Sequence, residues 1–234
     1  MTLAKGFLFA GLAVSTLICI HLNPQTVFFS EWFSALGLLL AWGAFWSGGG
    51  ERGVRVGLPA LSVGLLLLAC LVRLPLSSGL AYPLYLVLFL MAYGLGQRLK
   101  SGGGEVWIAG GLLLCAVLQS LAGLAQLLGW SLGGLVMQKI YLQAFGNIGQ
   151  ANHYTDLIFL GLASLCYLRA RQKLHWTVFL GLAAWLCLAA AASASRGAWL
   201  YTAAFAVLGG WGLWRRQGKD AEAGDVAWSL LLVA

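Results

Sequence analysis

Polar side chains cluster in one short segment of an otherwise apolar chain, between residues 146 and 156. Its sequence is GNIGQANHYTD, and its amide and imidazole side chains are Asn147, Gln150, Asn152 and His153. Because these groups donate and accept hydrogen bonds, they predict a polar pocket for a sugar or a phosphate group. The other interpretation is a well-capped helix start, with Asn152 as the N-cap residue and Asp156 complementing the positive helix end.

A second polar motif, Ser193-Ala194-Ser195-Arg196-Gly197, stands between two later apolar segments. Arg196 is predicted to lie at the N-terminal end of a helix, where a cation costs roughly 0.3–1 kcal/mol. A bound anion would remove this cost, since helix N-termini attract phosphate and a guanidinium can grip it through two hydrogen bonds. The alternatives are that Arg196 extends to water or pairs with a carboxylate.

Besides Asp156 and Arg196, three more charged residues are expected on the same side of the protein as the two motifs. Arg73, before Leu74-Pro75, is a second candidate for phosphate contact, although the C-terminal end of a helix also stabilises a cation without a ligand. Lys139 is expected to be an interfacial anchor. Glu31 and Asp156 are the carboxylates on this side, and either is a candidate partner for Arg73 or Arg196. The sequence has no HExxH motif and no Cys/His cluster, so we expect no metal and no cofactor.

The composition places these motifs in a membrane protein. Of the 234 residues, 61% are hydrophobic and 9% are charged, and the mean hydropathy is +0.86. Soluble domains carry roughly 25% charged residues, so we expect a lipid bilayer around the chain. The net charge of +7 does not indicate nucleic acid, because Lys and Arg occupy short turns between apolar runs. The five cysteines lie within apolar runs and are read as packing residues.

The apolar runs predict an all-α, polytopic transmembrane helical bundle with about eight complete spans. These spans are placed near residues 6–22, 28–46, 56–72, 80–97, 106–130, 154–168, 174–194 and 198–214. A ninth begins near Val226 and reaches Ala234, which predicts that residues 1–234 are the transmembrane N-terminal fragment of a longer protein. The segment 131–153 is expected to be an external loop that lies along the membrane as an amphipathic helix.

The distribution of basic residues predicts the orientation. With the N-terminus in the cytoplasm, only three of the fourteen Lys and Arg residues fall on the outer side, namely Arg73, Lys139 and Arg196. Cytoplasmic loops of membrane proteins carry an excess of Lys and Arg. Both polar motifs are therefore expected on the outer side.

The two motifs together resemble a known family. Gly146-Asn147-Ile148-Gly149-Gln150-Ala151-Asn152-His153, followed by a span and then Ser195-Arg196-Gly197, resembles the O-antigen ligase and O-oligosaccharyltransferase superfamily, and more closely its PglL-type protein-glycosylating branch. The family's first motif usually reads Gln-Pro-Asn-His, and Ala151 here replaces the proline. Gln150, Asn152 and His153 keep the other positions.

The resemblance implies a multi-pass enzyme of the bacterial inner membrane. Such an enzyme moves an oligosaccharide from undecaprenyl diphosphate to an acceptor hydroxyl, on a pilin-like protein or on lipid A core, at the periplasmic side. Outward arginines of the family hold the lipid diphosphate, and the family's catalytic histidine lies in a later loop, so no catalytic residue is assigned here and His153 does not take that role. The predicted substrate-binding residues are Arg196, Arg73, Asn147, Gln150, Asn152, His153 and Ser195.

Two other functions remain open from the sequence. A transporter or flippase of glycan lipids would need polar or charged residues near the middle of the bilayer, and the charges here lie near the ends of the spans. A non-catalytic subunit of an envelope-assembly complex would make no product from donor and acceptor.

Overall fold

The described part of the protein is entirely helical. The computed structural model describes residues 2–17, 28–47, 57–73, 81–100, 103–138 and 142–214. The helices are α1 (Thr2–Leu17), α2 (Phe28–Ser47), α3 (Leu58–Arg73), α4 (Ala81–Lys100), α5 (Gly104–Leu127), α6 (Ala151–Ala170), α7 (Trp176–Ala192) and α8 (Arg196–Trp214). A short 3-10 helix covers Leu132–Gly134. No strand occurs among these residues, which confirms the all-α class. The predicted ninth segment lies outside the described residues.

Each of the eight predicted apolar segments corresponds to one helix, but the predicted start of the sixth was wrong. The sixth segment was expected from residue 154, whereas α6 begins at Ala151 and its N-cap residue is Gln150. The backbone of Gln150 is extended, with φ −142° and ψ 125°, and its carbonyl accepts the first helical bond from Tyr154 N at 3.0 Å. Asn152 therefore lies inside the first turn, and its predicted N-cap role was wrong.

Helix α5 is the one described helix that is long and apolar enough to cross a membrane. Its 24 residues span about 36 Å at 1.5 Å per residue, which exceeds the roughly 30 Å hydrocarbon core of a bilayer. Shorter apolar stretches lie in α1, α2, α4 and α7. By length and composition the described helices support one crossing, and they do not establish eight.

The chain divides into two compact units, which we describe separately. The first comprises residues 1–11 and 32–107. In it α3 packs against α4, and Gly37 lets the backbone of α2 approach that of Gly11 closely. The indole of Trp42 donates a hydrogen bond to the carbonyl of Met91 at 2.8 Å, and the Arg98 guanidinium lies over the same indole. These contacts hold α1, α2, α3 and α4 of this unit together.

The second unit comprises residues 12–31 and 108–234 and contains both polar motifs. Its helix α6 packs against α7 and α8. The connections are short, with residues 171–175 between α6 and α7 and residues 193–195 between α7 and α8. Helix α7 therefore runs antiparallel to α6, and α8 runs parallel to α6. The ring of Phe159 meets Tyr201 and Phe205 in turn, with centroids 4.9 Å and 5.6 Å apart. Helices α6 and α8 therefore begin at the same end of the unit.

The segment before α6 is a folded loop and not the predicted amphipathic helix. In the described residues it contains the 3-10 turn Leu132–Gly134 and a turn over 146–149. Glycines with positive φ at 133, 134, 146 and 149 interrupt any helical run. Val136 and Phe145 are buried, whereas Leu135 and Leu142 are exposed at 71% and 89%, so the loop buries only part of its apolar residues. Lys139 lies outside the described residues.

Candidate functional site

Two buried glutamines of α5 hold the loop that carries the first motif. Gln126 accepts a hydrogen bond from the backbone N–H of Phe145 at 3.0 Å and donates to the carbonyl of Met137 at 3.0 Å. Gln119 accepts from the backbone N–H of Asn147 at 2.9 Å. Since both glutamines are buried, these bonds satisfy loop amides that would otherwise be desolvated without a partner. The loop is thereby fixed against α5.

The side chain of Asn147 continues this scaffold. Its Oδ1 accepts from the N–H of Met137 at 3.0 Å, and its Nδ2 donates to the carbonyl of Leu135 at 2.8 Å. The residue is 3% exposed. The amide therefore cross-links the two arms of the loop, and its predicted contact with substrate stays a prediction.

Gly146 allows the loop to lie this close to α5. Its φ of +54° is in the left-handed region, and a Cβ atom at this position would overlap the side chain of Gln119. A residue with a side chain would be strained in its backbone and would push the loop away from the helix. This glycine is needed for the approach of the first motif to α5.

A hydrogen bond joins the two polar motifs. The hydroxyl of Ser195 donates to Oδ1 of Asn152 at 2.8 Å. The same Ser195 Oγ accepts from the backbone N–H of Gly197 at 3.2 Å, so Ser195 is the N-cap of α8. Residues 43 positions apart in the sequence thus meet at the common starting end of α6 and α8.

A second, buried pair of hydroxyls lies next to this bond. Thr155 Oγ1 and Ser193 Oγ are 2.8 Å apart, and both residues are fully buried. Ser193 Oγ also accepts from the N–H of Ser195 at 3.2 Å. At the last residue of α7, the carbonyl of Ala192 accepts a hydrogen bond from the N–H of Ala144 in the loop, at 3.0 Å. The α7–α8 turn is therefore tied to α6 and to the loop.

A carboxylate connects α6 and α8 one turn further along. Asp156 Oδ1 accepts from the hydroxyl of Tyr201 at 2.6 Å, and Asp156 Oδ2 lies 3.5 Å from Nδ1 of His153. The side chains of His153 and Asp156 are 55% and 45% exposed, so water or a ligand reaches them. Asp156 was considered as a partner for Arg196, and its partners are instead His153 and Tyr201.

Arg196 is the first residue of α8 and is exposed. In the part of the chain that the structure describes, no carboxylate pairs with it. Arg169, at the opposite end of the unit, is by contrast buried, donates to Gln172 and Leu174, and lies over the ring of Trp176. Arg196 therefore presents its charge to the surroundings beside the joined motifs.

An apolar groove of about 460 Å³ lies against the α7–α8 turn. Four alanines form much of its wall, together with Phe159, Cys187, Ser195, Trp199 and Thr202. The alanines are Ala190, Ala191, Ala194 and Ala198. Ser195 belongs both to this groove and to the hydrogen-bonded motifs, so the groove and the polar site adjoin.

The structure brings together four of the seven predicted site residues: Asn152, His153, Ser195 and Arg196. Gln150 is exposed at the entrance of α6, and its side chain makes no cap bond. Arg73 ends α3 in the first unit, and its side chain lies outside the described residues.

The sequence interpretation missed several residues that build the site. They are Gln119, Gln126, Thr155, Ser193 and Tyr201. The two glutamines are polar residues seven positions apart within an apolar helix, which places them on one face. This spacing is a signal that the sequence alone could have supplied.

A family comparison agrees with the position of the first motif. Residues 144–168 match the family model of protein glycosylation ligases, PglL_A. The match begins in the loop and extends along α6, so it includes Asn147, Gln150, Asn152, His153 and Asp156. It covers a small part of the chain and suggests a glycosylation ligase. No curated protein and no solved structure matches the chain.

Proposed function

We propose that this chain is the membrane domain of a protein O-oligosaccharyltransferase or O-antigen ligase. In this proposal it moves an oligosaccharide from undecaprenyl diphosphate to an acceptor hydroxyl, either on a pilin-like protein or on lipid A core. The proposal is supported by the glycosylation-ligase match at residues 144–168 and by the composition of the chain.

One observation carries the proposal: the hydrogen bond between Ser195 and Asn152. It joins the segment that matches the glycosylation ligases to the motif that contains Arg196. The result is a guanidinium that no carboxylate of the described residues pairs with, beside exposed amide and imidazole groups, where a charged lipid headgroup and a sugar can be held together. A well-capped helix alone does not require the contact between the two motifs.

The proposed location is the bacterial inner membrane, with several crossings and the N-terminus in the cytoplasm. Large apolar side chains are exposed on the described helices, for example Leu65 at 69%, Trp199 at 80% and Val207 at 68%. Such surfaces are typical of contact with lipid or with another protein. The opposite end of the second unit carries Arg169, Arg171 and Lys173, which favours that end for the cytoplasm and the site for the periplasm.

Arg196 would bind the diphosphate of the donor. It begins α8, and the start of α6 lies at the same end, so two positive helix ends add to its charge. Charge builds up on the diphosphate as the bond to the sugar breaks, and a fixed guanidinium stabilises this charge more than it stabilises the ground state. We assign no catalytic base among these residues.

The groove beside Ser195 would accept the first isoprene units of the lipid. Its alanine wall is apolar and adjoins the polar site, which matches a ligand with a charged headgroup on an apolar chain. The sugar would then extend from the diphosphate toward Asn152 and His153, and Gln150 stands exposed at the edge of that region.

Glycan transfer by the full-length protein tests this function. The Arg196→Ala variant is compared with Arg171→Ala, the same exchange at an exposed arginine of the opposite end. Loss of a charged hydrogen-bonding group costs about 1.5–3 kcal/mol, which corresponds to a roughly 10- to 100-fold loss of kcat/KM. Arg171→Ala should keep wild-type transfer.

Three results would contradict the proposal. Normal transfer by Arg196→Ala at normal protein levels would remove Arg196 from the mechanism. Movement of labelled glycan lipid across vesicles by a protein without transfer activity would indicate a flippase. No product from pure full-length protein supplied with donor and acceptor would indicate an assembly subunit.

A further inference from the structure

His153, Asp156 and Tyr201 form a connected chain of polar side chains at the exposed edge of the site. The hydroxyl of Tyr201 donates to Asp156 Oδ1 at 2.6 Å, and Asp156 Oδ2 lies 3.5 Å from His153 Nδ1. Tyr201 donates to one carboxylate oxygen and leaves the other facing the imidazole. Asp156 thus has one partner on its own helix and one on α8.

When His153 is neutral, this contact favours one of its two tautomers. A carboxylate accepts hydrogen bonds, so the imidazole presents its N–H at Nδ1 and keeps a lone pair at Nε2. Hydrogen-bond partners of one ring nitrogen commonly set the state of the other in this way. With 55% of its side chain exposed, His153 can offer Nε2 to a ligand.

We propose that His153 Nε2 accepts a hydrogen bond from a hydroxyl group of the substrate, and that Asp156 and Tyr201 are positioning residues that fix this acceptor. The inference rests on the proposed glycan transfer and specifies what this part of the site recognises. A phosphodiester oxygen has no proton to donate, whereas saccharides and Ser/Thr acceptors present hydroxyls. His153 therefore recognises the hydroxyl-bearing part of a substrate, and Arg196 holds the phosphate.

The charged and titratable groups around His153 are few in the described residues. Asp156 lies on its own helix, and Tyr201 and Arg196 lie on α8. Helix α7 contributes a single titratable side chain, Cys187, which lines the groove.

The test measures transfer by the full-length protein in variants of the three residues. Asp156→Asn can present an N–H to the imidazole, which favours the opposite tautomer and places a proton on Nε2. The enzyme has one KM for the lipid-linked donor and one for the acceptor. We expect His153→Ala and Asp156→Asn each to raise the same one of these two KM values about 3- to 10-fold and to leave the other nearly unchanged. The effects should not add in the double variant, because both remove the same acceptor. Tyr201→Phe should raise the same KM by a smaller factor.

The two possible hydroxyl sources give different results. A raised KM for the lipid-linked donor identifies a saccharide hydroxyl, and a raised KM for the acceptor identifies the hydroxyl that is glycosylated. His175→Ala, the same exchange at the opposite end of the unit, is the control and should change neither KM.

The tautomer of His153 separates this role from a structural one. Nitrogen NMR of histidine-labelled protein should show Nδ1–H in the wild type and Nε2–H in Asp156→Asn. A proton on Nε2 of the neutral imidazole in the wild type would overturn the proposal. Unchanged KM values in an otherwise active enzyme would also overturn it and would leave the proposed transfer intact.

Discussion

Replacement of Ser195 by alanine should weaken the protein through two separate bonds. The variant loses the cap on the N–H of Gly197 and the donor to Asn152. Loss of an N-cap side chain costs about 0.5–2 kcal/mol. Loss of the bond to Asn152 costs about 0.5–1.5 kcal/mol, and the lower part of this range applies because Asn152 is exposed and water replaces the donor. We expect a total of about 1–3 kcal/mol.

A double-mutant cycle isolates the bond between the motifs. Asn152→Ala removes the bond and keeps the cap, whereas Ser195→Ala removes both. The coupling between the two substitutions should be about 0.5–1 kcal/mol, the lower part of the range for a hydrogen bond. Ser195→Thr is the matched control, since it keeps the hydroxyl for both bonds.

The assay is unfolding of purified protein in a fixed detergent, followed by tryptophan fluorescence. The signal combines the eleven tryptophans of residues 1–234 and reports global unfolding. Coupling below about 0.3 kcal/mol, which is the scatter of independent sites, would refute the claim that the two motifs are joined by this hydrogen bond.

Two further predictions address the loop and the groove. Gly146→Ala should destabilise the protein by about 1–3 kcal/mol, because a left-handed residue gains a Cβ atom against Gln119. Gly181→Ala, in open space within α7, should instead be neutral or stabilise the protein by up to about 1 kcal/mol. If thermal unfolding showed the same change in stability for both variants, the account of Gly146 would be contradicted. Ala198→Leu should narrow the groove and raise the KM for the lipid donor several-fold, whereas Ala203→Leu on the exposed face of α8 should leave it unchanged. Equal KM values would show that the groove does not hold the lipid.

The sequence predicted the helices well and their ends less well. Long apolar runs locate helices because few other structures bury so many apolar residues. The ends depend on single residues: α6 starts three residues earlier than predicted because the extended Gln150 follows Gly149, whose φ is +79°. Asn152 has the right residue type for an N-cap, and only the structure shows that its oxygen is used by Ser195.

The contacts between distant residues could not be read from one sequence. Tyr201 is 45 positions from Asp156, and no local pattern marks the pair. The loop was misread because its alternating apolar residues suggested a surface helix, whereas its positive-φ glycines and the two glutamines of α5 fold it against the protein. The partners of a polar side chain depend on helix packing, which composition does not specify.

Binding of the lipid headgroup tests the central claim most directly. The affinity of the full-length protein for undecaprenyl diphosphate and for undecaprenol is measured by native mass spectrometry, in the wild type and in Arg196→Ala. If Arg196 holds the diphosphate, the substitution should weaken binding of undecaprenyl diphosphate by about 10-fold or more and leave binding of undecaprenol unchanged. Equal affinity of both proteins for undecaprenyl diphosphate would contradict the account.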